Sequence, residues 1–313
     1  MMNFRLVADQ TNVPFLSFRK IAFVISAALA LMTLALLPTK GLNFGIDFQG
    51  GTMIEARMPG NAADIGAMRT SLKGLGLGEV ALQEFGSPTD VLIRVQRQDG
   101  EQDAQLAAVD QVKQALAQEF GSEISYRRVE FVGPKVSGEL YQAGAQAILF
   151  ALIAILAYIW FRFEWQFAVG SIVALVHDVV LTLGIFSLLG LEFNLATVAA
   201  LLTIVGYSLN DTVVVFDRVR ENLRKYKKMQ LSDLLDRSLN DTLARTLMTS
   251  VTTLLALIAL FVFGGLVIRD FTFALIWGVL IGTYSSMFIA SPLLLHLKLR
   301  AESVALPNAE KAT

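Results

Sequence analysis

The stretch FNLATVAALLTIVGYSLNDTVVVF, Phe193–Phe216, decides the fold of this chain. It is almost entirely apolar and long enough to cross a membrane, since a spanning helix needs about 20 such residues. The eighteen residues from Phe193 to Asn210 give about 27 Å of helix, slightly less than a hydrocarbon core of about 30 Å. Because apolar sequence resumes after Asp211, we expect this carboxylate to lie inside the membrane.

Five further stretches have the length and composition of membrane spans. Of the 313 residues, 54% are hydrophobic and only 17% are charged, against about 25% charged in soluble proteins. We therefore predict an α-helical polytopic membrane protein with six transmembrane helices. The other five spans are predicted at Ile21–Leu37, Leu140–Phe161, Phe167–Leu191, Leu247–Ile268 and Phe271–Leu297.

Positive charge predicts the orientation of these spans. Arg19 and Lys20 precede the first span, Arg162 lies between the second and third, and RVRENLRKYKK, Arg218–Lys228, follows the fourth. Loops rich in Lys and Arg stay in the cytoplasm, so both termini are expected there. The predicted organisation is a cytoplasmic N-terminus at 1–20, the first span at 21–37, a periplasmic domain at 38–138, five spans at 139–297 with a cytoplasmic loop at about 217–244, and a cytoplasmic tail at 298–313.

The first span shares the layout of a secretory signal peptide, because two basic residues precede its apolar run. No small-residue cleavage site stands in a convincing register before the next folded region, and five more spans follow. An uncleaved anchor is the favoured interpretation. Gly190 suits the tight connection that must join the third and fourth spans.

The periplasmic segment alternates between strand and helix patterns. NFGIDFQGGTMIEARM, Asn43–Met58, has the pattern of a strand or hairpin, and an amphipathic helix follows at 61–75. Two short strands, EVALQEF and DVLIRVQ, flank a Gly-Ser-Pro-Thr turn, and a helix at 104–120 precedes a closing strand at 123–133. The order β-α-β-β-α-β predicts an α+β ferredoxin-like domain between the first and second spans.

Several function classes lack support in the composition. A net charge of −1 gives no basic surplus to favour nucleic acid, and with no cysteine the chain forms neither disulfides nor thiolate metal sites. The periplasmic segment contains no histidine and no metal-ligand or nucleophile spacing. We therefore predict no metal site and no catalytic residues, and interpret this segment as a mechanical or binding domain.

Charged and polar residues inside the spans are the candidate functional residues, because burying them in a membrane is costly. Arg245 opens the fifth span, which runs opposite to the fourth, so it can share the depth of Asp211. It can equally be an anchor at the interface, and spacing alone leaves both interpretations open. Asn210 and Thr249 could hydrogen-bond along a proton route or hold helices together.

His177 and Asp178 lie near the middle of the third span and are the deepest ionisable pair in the chain by residue count. Neighbouring residues diverge by about 100° on a helix, so the two need not share a partner. A proton relay and a buried structural pair both fit the sequence.

Four strings in order resemble the SecD/SecF family of the resistance-nodulation-division superfamily. Together with the six spans and the position of the large loop, the resemblance covers nearly the whole chain. The strings are FGIDFQGGT at Phe44–Thr52, VGPKVSGEL at Val132–Leu140, YSLNDTVVVFDRVREN at Tyr207–Asn222 and LARTLMTSVTT at Leu243–Thr253.

The resemblance implies an auxiliary subunit of the Sec protein translocase. Such a subunit uses the proton-motive force to promote translocation of unfolded polypeptides across the bacterial inner membrane. The implied partners are SecD, the SecYEG translocon, YajC, the translocating preprotein and membrane lipid. The implied coupling ion is the proton, with no other cofactor, and Asp211 and Arg245 match the aspartate and arginine that the family associates with proton coupling.

A structural role is the favoured interpretation for the glycine-rich strings, since glycine permits tight turns and close backbone approach where the chain leaves and re-enters the membrane. These residues would fix how the domain joins the first two spans. They are Gly45, Asp47, Gly50, Gly51, Gly133, Pro134 and Gly138.

Two other functions were weighed. A proton-driven small-molecule or lipid exporter of the same superfamily would usually carry both halves in one chain, for which 313 residues are too few. An intramembrane enzyme would need a paired-aspartate or metal site, and Asp178 and Asp211 lack the surrounding signatures. We therefore expect a transport subunit without hydrolytic activity.

Overall fold

A computed structural model describes residues 11–78, 80–98, 100, 102–265, 268–297 and 299, so most of the predicted terminal segments, 1–20 and 298–313, lies outside the described residues. Six helical segments in this part are long and apolar enough to cross a membrane, which confirms the predicted number of spans. The elements in chain order are α1 (Arg19–Thr39), β1 (Asn43–Phe44), α2 (Ile46–Gln49), β2 (Gly51–Arg57), α3 (Ile65–Lys73), β3 (Val80–Phe85), β4 (Ser87–Val95), α4 (Gln102–Phe120), β5 (Ser125–Val132), α5 (Pro134–Arg162), α6 (Trp165–Leu189), β6 (Glu192–Phe193), α7 (Leu195–Lys225), α8 (Leu231–Phe263), α9 (Arg269–Ser285), a π turn (Ser286–Ala290) and α10 (Ser291–His296).

The chain forms two compact units. One is a helical bundle built from residues 11–43, 148–191 and 196–299, and the other is an α+β unit built from 44–147 together with the four residues 192–195. The second unit thus includes the connection between α6 and α7, which begins 45 residues after the 44–147 segment ends.

The α+β unit has the predicted element order and a four-stranded antiparallel sheet. The strands lie in the order β3-β4-β2-β5, and Ile54 of β2 is opposite Ile93 of β4 and Val129 of β5. One face of the sheet packs on α3 and α4 through Met68, Leu72 and the apolar side of α4. This split β-α-β-β-α-β arrangement confirms the ferredoxin-like prediction.

Two local predictions in this unit were wrong. Asn43–Met58 is not one strand or hairpin: β1 and β6 form a separate pair, the one-turn helix α2 follows, and β2 begins only after Gly50. Gly50 and Gly51 have φ values of +72° and +109°, and this left-handed backbone breaks the strand. The predicted Gly-Ser-Pro-Thr turn is also shorter, because Ser87 already pairs in β4 and Gly86 makes the turn at φ +77°.

Close helix crossings define the bundle interior. A Cβ added at Gly184 of α6 would lie 2.0 Å from Oγ1 of Thr33 in α1, and one at Gly278 of α9 would lie 2.2 Å from Ile204 of α7. Small residues at such crossings let membrane helices approach closely. Gly190 ends α6 in the left-handed conformation at φ +68°, as the tight connection requires.

The predicted basic segments meet at one end of the bundle. Arg162 at the end of α5 donates to Asp217 of α7 at 2.8 Å, and the backbone N–H of Leu16 donates to Asp236 of α8 at 2.9 Å. The region assigned to a loop at about 217–244 is helical except between α7 and α8, at 226–230. Beneath these contacts Phe167 and Phe216 pack with ring centroids 5.0 Å apart.

Candidate functional site

Asp211 lies in the interior of the bundle on α7, where it is 2% exposed. Its Oδ2 atom has no hydrogen-bond partner, and the hydroxyl of Thr283 on α9 faces the carboxylate. A buried charge that lacks donors is costly to maintain, whereas a protonated carboxyl in the same place is not. The free energy of the bundle interior around Asp211 therefore depends on whether this carboxyl carries a proton.

Arg245 is the positive charge that acts on Asp211, although the two side chains do not form an ion pair within 4 Å in this conformation. Its side chain is exposed on α8, while the next residue, Thr246, is buried. The structure therefore places Arg245 within electrostatic range of the carboxylate but leaves the charge free of direct contact with it.

Hydroxyl side chains from three helices surround this region. Ser250 of α8 and Thr283 of α9 share a hydrogen bond of 2.7 Å, and the hydroxyl of Tyr207 on α7 donates to Ser250 at 3.4 Å. Because Thr283 faces Asp211, these groups form a hydrogen-bonded path from the carboxylate to α8. Hydroxyls both donate and accept, so the path can adapt to either protonation state.

Asp178 of α6 is the other buried carboxylate of the bundle core, with no exposed surface. Its Oδ2 accepts hydrogen bonds from Ser208 of α7 at 2.6 Å and from Ser285 of α9 at 2.7 Å. Its Oδ1 lies 2.9 Å from Nδ1 of His177, so the neighbours do share a contact, which the sequence did not require. Asp178 is therefore a satisfied junction of three helices.

The two buried carboxylates differ in their hydrogen bonding. Asp178 has two hydroxyl donors and a contact with Nδ1 of His177, whereas Oδ2 of Asp211 has no partner. A fully hydrogen-bonded carboxylate is held in position, whereas a partly satisfied one can gain a partner when a proton or a cation arrives. Asp178 therefore joins three helices through hydrogen bonds, whereas Asp211 keeps one carboxylate oxygen without a partner.

Two other predicted residues do not reach Asp211. Asn210 is exposed on α7, and the hydroxyl of Thr249 bonds to the backbone oxygens of Arg245 and Thr246 in its own helix. Asn210 fails because adjacent helical residues point about 100° apart. The hydroxyl groups near the two buried carboxylates were not singled out from the sequence. They are those of Ser250 and Thr283 near Asp211, and of Ser208 and Ser285 at Asp178.

Ser286, the first residue of the π turn, adds a further crossing. Its hydroxyl lies 2.8 Å from that of Thr212 on α7, and the Ser291 hydroxyl donates to its carbonyl at 2.9 Å. The string Thr283–Ser286, TYSS, inside an apolar span was the available sequence signal for this network. Among the described residues, no three histidine, aspartate or glutamate side chains come together as a metal would require.

The glycine-rich string of the α+β unit makes close contacts with the connection between α6 and α7. The N–H of Gly45 donates to Phe193 at 2.9 Å, and a Cβ there would lie 2.4 Å from a carboxylate oxygen of Glu192. Asp47 accepts a hydrogen bond from the N–H of Leu195 at 2.9 Å. Leu195 is the first residue of α7, and a side-chain oxygen that accepts from such a residue satisfies one of the free N–H groups at the start of a helix.

The two glycines of this string that begin β2 also lack room for a side chain. A Cβ at Gly51 would lie 2.6 Å from the carbonyl oxygen of Val95, and one at Gly50 would lie 3.2 Å from that of Val132. In the second string, α5 begins at Pro134, but Cβ atoms at Gly133 and Gly138 would meet nothing closer than 3.9 Å. The lack of room for a side chain therefore accounts for the glycines of the first string but not for those of the second.

Arg94 connects the start of this string with the recruited residues 192–195. Its guanidinium donates to the carbonyl of Phe44 at 3.0 Å and to Glu192 at 3.2 Å. The rings of Phe44 and Phe193 pack edge to face, with centroids 5.8 Å apart. This junction was not apparent from the sequence, since its members lie about 50 to 150 residues apart.

Two family models match the chain. The model described as "Protein export membrane protein SecD/SecF, C-terminal" matches residues 111–300, and the "SecD/SecF GG Motif" model matches residues 35–58. Proteins described as "Protein translocase subunit SecF" from Rickettsia rickettsii and Rickettsia felis are each 46% identical over 290 residues. Each alignment covers 93% of this chain and 93% of the relative.

Solved structures of SecDF have the same fold. The crystal structure of SecDF from Thermus thermophilus, a translocon-associated membrane protein, matches with a TM-score of 0.83 and 37% identity over 94% of this chain. SecDF in a super-membrane-facing form matches with a TM-score of 0.65 and 35% identity over 95% of it. The chain spans only 39% and 40% of those two SecDF chains.

Proposed function

Because this chain belongs to the SecD/SecF family of protein-export membrane proteins, we propose that it is a subunit of the Sec protein translocase that promotes movement of unfolded polypeptides across the bacterial inner membrane. The relatives aligned over 93% of their length are described as "Protein translocase subunit SecF", which supports the translocase assignment.

The chain works with a second membrane subunit of the SecD type. It matches about two fifths of each SecDF chain, and a SecD-type partner would correspond to regions of those chains outside the match. Docking on the SecYEG translocon and association with YajC belong to the same proposal. The α+β unit then faces the periplasm and both termini face the cytoplasm, in accord with the basic residues that meet at one end of the bundle.

Asp211 is the proton-coupling residue of this proposal, and Arg245 is its counter-charge. The supporting observation is the unpartnered Oδ2 of a carboxylate that is 2% exposed, beside a cation held out of direct contact. Protonation removes the attraction between α7 and α8, and deprotonation restores it. Alternation between these states would let proton flow drive changes in helix packing, without hydrolysis by this subunit.

The test replaces Asp211 with Asn in membrane vesicles that contain the chain, its SecD-type partner and the translocon. We expect the proton gradient to lose most of its stimulation of preprotein translocation, measured as the protease-protected fraction with and without an uncoupler. Asp217→Asn is the matched control, because this carboxylate lies on the same helix but is exposed beside Arg162. Full gradient stimulation in Asp211→Asn at normal protein level would refute the coupling role.

A further inference from the structure

An open cleft of about 560 Å³ lies where the ends of α5 and α7 meet the turn into α6. This volume is within the range of about 300–1,000 Å³ typical of sites for small molecules. Four basic and two acidic side chains line the cleft, so it has an excess of two positive charges. The lining residues are Arg162, Asp217, Arg220, Glu221, Arg224 and Lys225.

Contacts with a ring and a carboxylate fix the guanidinium groups on one side of the cleft. Arg162 and Arg220 lie 5.0 and 5.5 Å from the centroid of the Phe163 ring, and both approach Asp217, at 2.8 and 3.8 Å. One carboxylate thus serves two guanidinium groups and cannot neutralise both. Cations that are already positioned lose little conformational entropy when an anion binds.

Glu221, the second acidic residue of the lining, is paired with a residue outside the cleft. Glu221 accepts a hydrogen bond of 2.6 Å from Arg218, which does not line the cleft. Arg224 and Lys225 follow in the last turn of α7, and both side chains are exposed. The uncompensated positive charge of the cleft is therefore concentrated at the C-terminal end of α7.

Exposed aromatic side chains show the depth at which the cleft opens. Trp160 and Phe161, at the end of α5, are 71% and 90% exposed, and Trp165 at the start of α6 is 45% exposed. Tryptophan side chains concentrate at the headgroup level of a membrane, with their apolar bodies toward the acyl chains. Arg162 lies between them in sequence, so the cleft faces the headgroup layer.

We propose that this cleft binds the headgroup of an anionic phospholipid. The phosphodiester is held by Arg220, Arg224 and Lys225, and the acyl chains run along the apolar surface beside Trp160 and Phe161. The site is independent of the proton-coupling proposal, because it lies at the membrane surface and uses none of the residues around Asp211.

Native mass spectrometry of the purified full chain in an uncharged detergent tests this site. We expect added dioleoyl phosphatidylglycerol to bind in preference to dioleoyl phosphatidylcholine. The double variant Arg224→Gln/Lys225→Gln should bind phosphatidylglycerol about tenfold or more weakly, since loss of one direct hydrogen bond between charged groups costs roughly tenfold or more in affinity. Lys227→Gln/Lys228→Gln removes the same charge outside the lining and should bind within about twofold of the unaltered chain.

Three outcomes would overturn the proposal. They are equal affinity for the two lipids, equal loss of binding in both double variants, and displacement of phosphatidylglycerol by inorganic phosphate at matched concentration, which would indicate an anion site rather than a lipid site. Should the lining variant fail to fold, photoactivatable phosphatidylglycerol on the unaltered chain decides. Crosslinks confined to peptides containing 160–165 and 220–225 support the site, and crosslinks spread over the bundle refute it.

Discussion

The Ser208 hydroxyl donates to Asp178 Oδ2 across 2.6 Å and so joins α7 to α6 in the bundle interior, where both side chains are fully buried. Ser285 donates to the same oxygen from α9. Hydrogen bonds between membrane helices contribute about 0.5–2 kcal/mol, and loss of one donor leaves the carboxylate less satisfied. We therefore expect single substitutions to show how much this junction contributes to the free energy of unfolding.

Ser208→Ala should lower the free energy of unfolding of the bundle by about 0.5–2 kcal/mol. The measurement is helix loss in mixed micelles of increasing denaturing detergent. Thr203→Ala is the matched control on the same helix, because its exposed hydroxyl bonds only to the carbonyl of Ala199. Equal destabilisation by the two substitutions would show that the bond to Asp178 contributes nothing beyond helix propensity.

Gly184→Ala should destabilise the α1–α6 crossing by about 1–3 kcal/mol, because overpacking a closed interior forces side chains or backbone to shift. The added Cβ would lie 2.0 Å from Oγ1 of Thr33, which is buried and cannot swing away. Thr33→Ala in the same chain should restore part of the loss, as a double-mutant cycle would show. Gly206→Ala is the control, since a Cβ there meets nothing within 4 Å and should be neutral or stabilising.

The pH dependence of the α+β unit should follow Asp90. Arg57 donates to both of its oxygens, at 2.6 and 2.8 Å, and this bond holds the pKa of Asp90 below its ordinary value against the opposing effect of burial. A lowered folded pKa stabilises above the unfolded value of about 3.9, and this contribution is lost as pH falls through the folded pKa.

Amide hydrogen exchange of the full chain measures this effect. After correction for intrinsic exchange rates, the amides of β2 and β4 should lose protection as pH falls from about 6 to below about 4. Asp90→Asn should already be less protected at neutral pH and should lose less on acidification. An unaltered pH dependence in this variant would exclude Asp90 as its source.

Gly51→Ala should destabilise the sheet more than Gly60→Ala. Both glycines have positive φ, +109° and +95°, so each substitution strains the backbone by about 1–3 kcal/mol. Only Gly51 also faces a backbone atom, the carbonyl oxygen of Val95 at 2.6 Å, whereas nothing lies within 4 Å of Gly60. The difference between the variants in exchange protection of β2 and β4 measures that contact, and equal losses would exclude it.

The sequence predicted most of the fold because its main signals are long. Six apolar stretches are each long enough to identify a span, and the order of strand and helix patterns identifies the ferredoxin-like unit. Short elements were missed. The two-residue strands β1 and β6 have no pattern of their own, and their pairing depends on Gly45 and Phe193, which are far apart in the chain.

The candidate site was predictable for its charges and not for its hydroxyls. A carboxylate inside a span, such as Asp211 or Asp178, is costly enough to be noticed in one sequence. Serine and threonine are common in membrane helices and often bond to their own backbone, as Thr249 does, so Ser208 and Ser285 carried no distinctive signal. The exposure of Arg245 could not be predicted, because it depends on how α8 is rotated about its axis, which residue spacing does not determine.

The π turn at Ser286–Ala290 divides the sixth span into two halves with different rotational phase. A π turn takes in one extra residue, so every side chain beyond it is rotated by about 100° from where an unbroken α-helix would place it. Before the turn, Thr283 and Ser285 face hydroxyls and a carboxylate; after it, Leu294 lies in the apolar core near Gly170. Deletion of one residue here would preserve the hydropathy of the span. It would rotate one half of the span relative to the other, so that only one half at a time could face its neighbouring helices as it does now. The number of residues in this turn therefore matters as much as their identity.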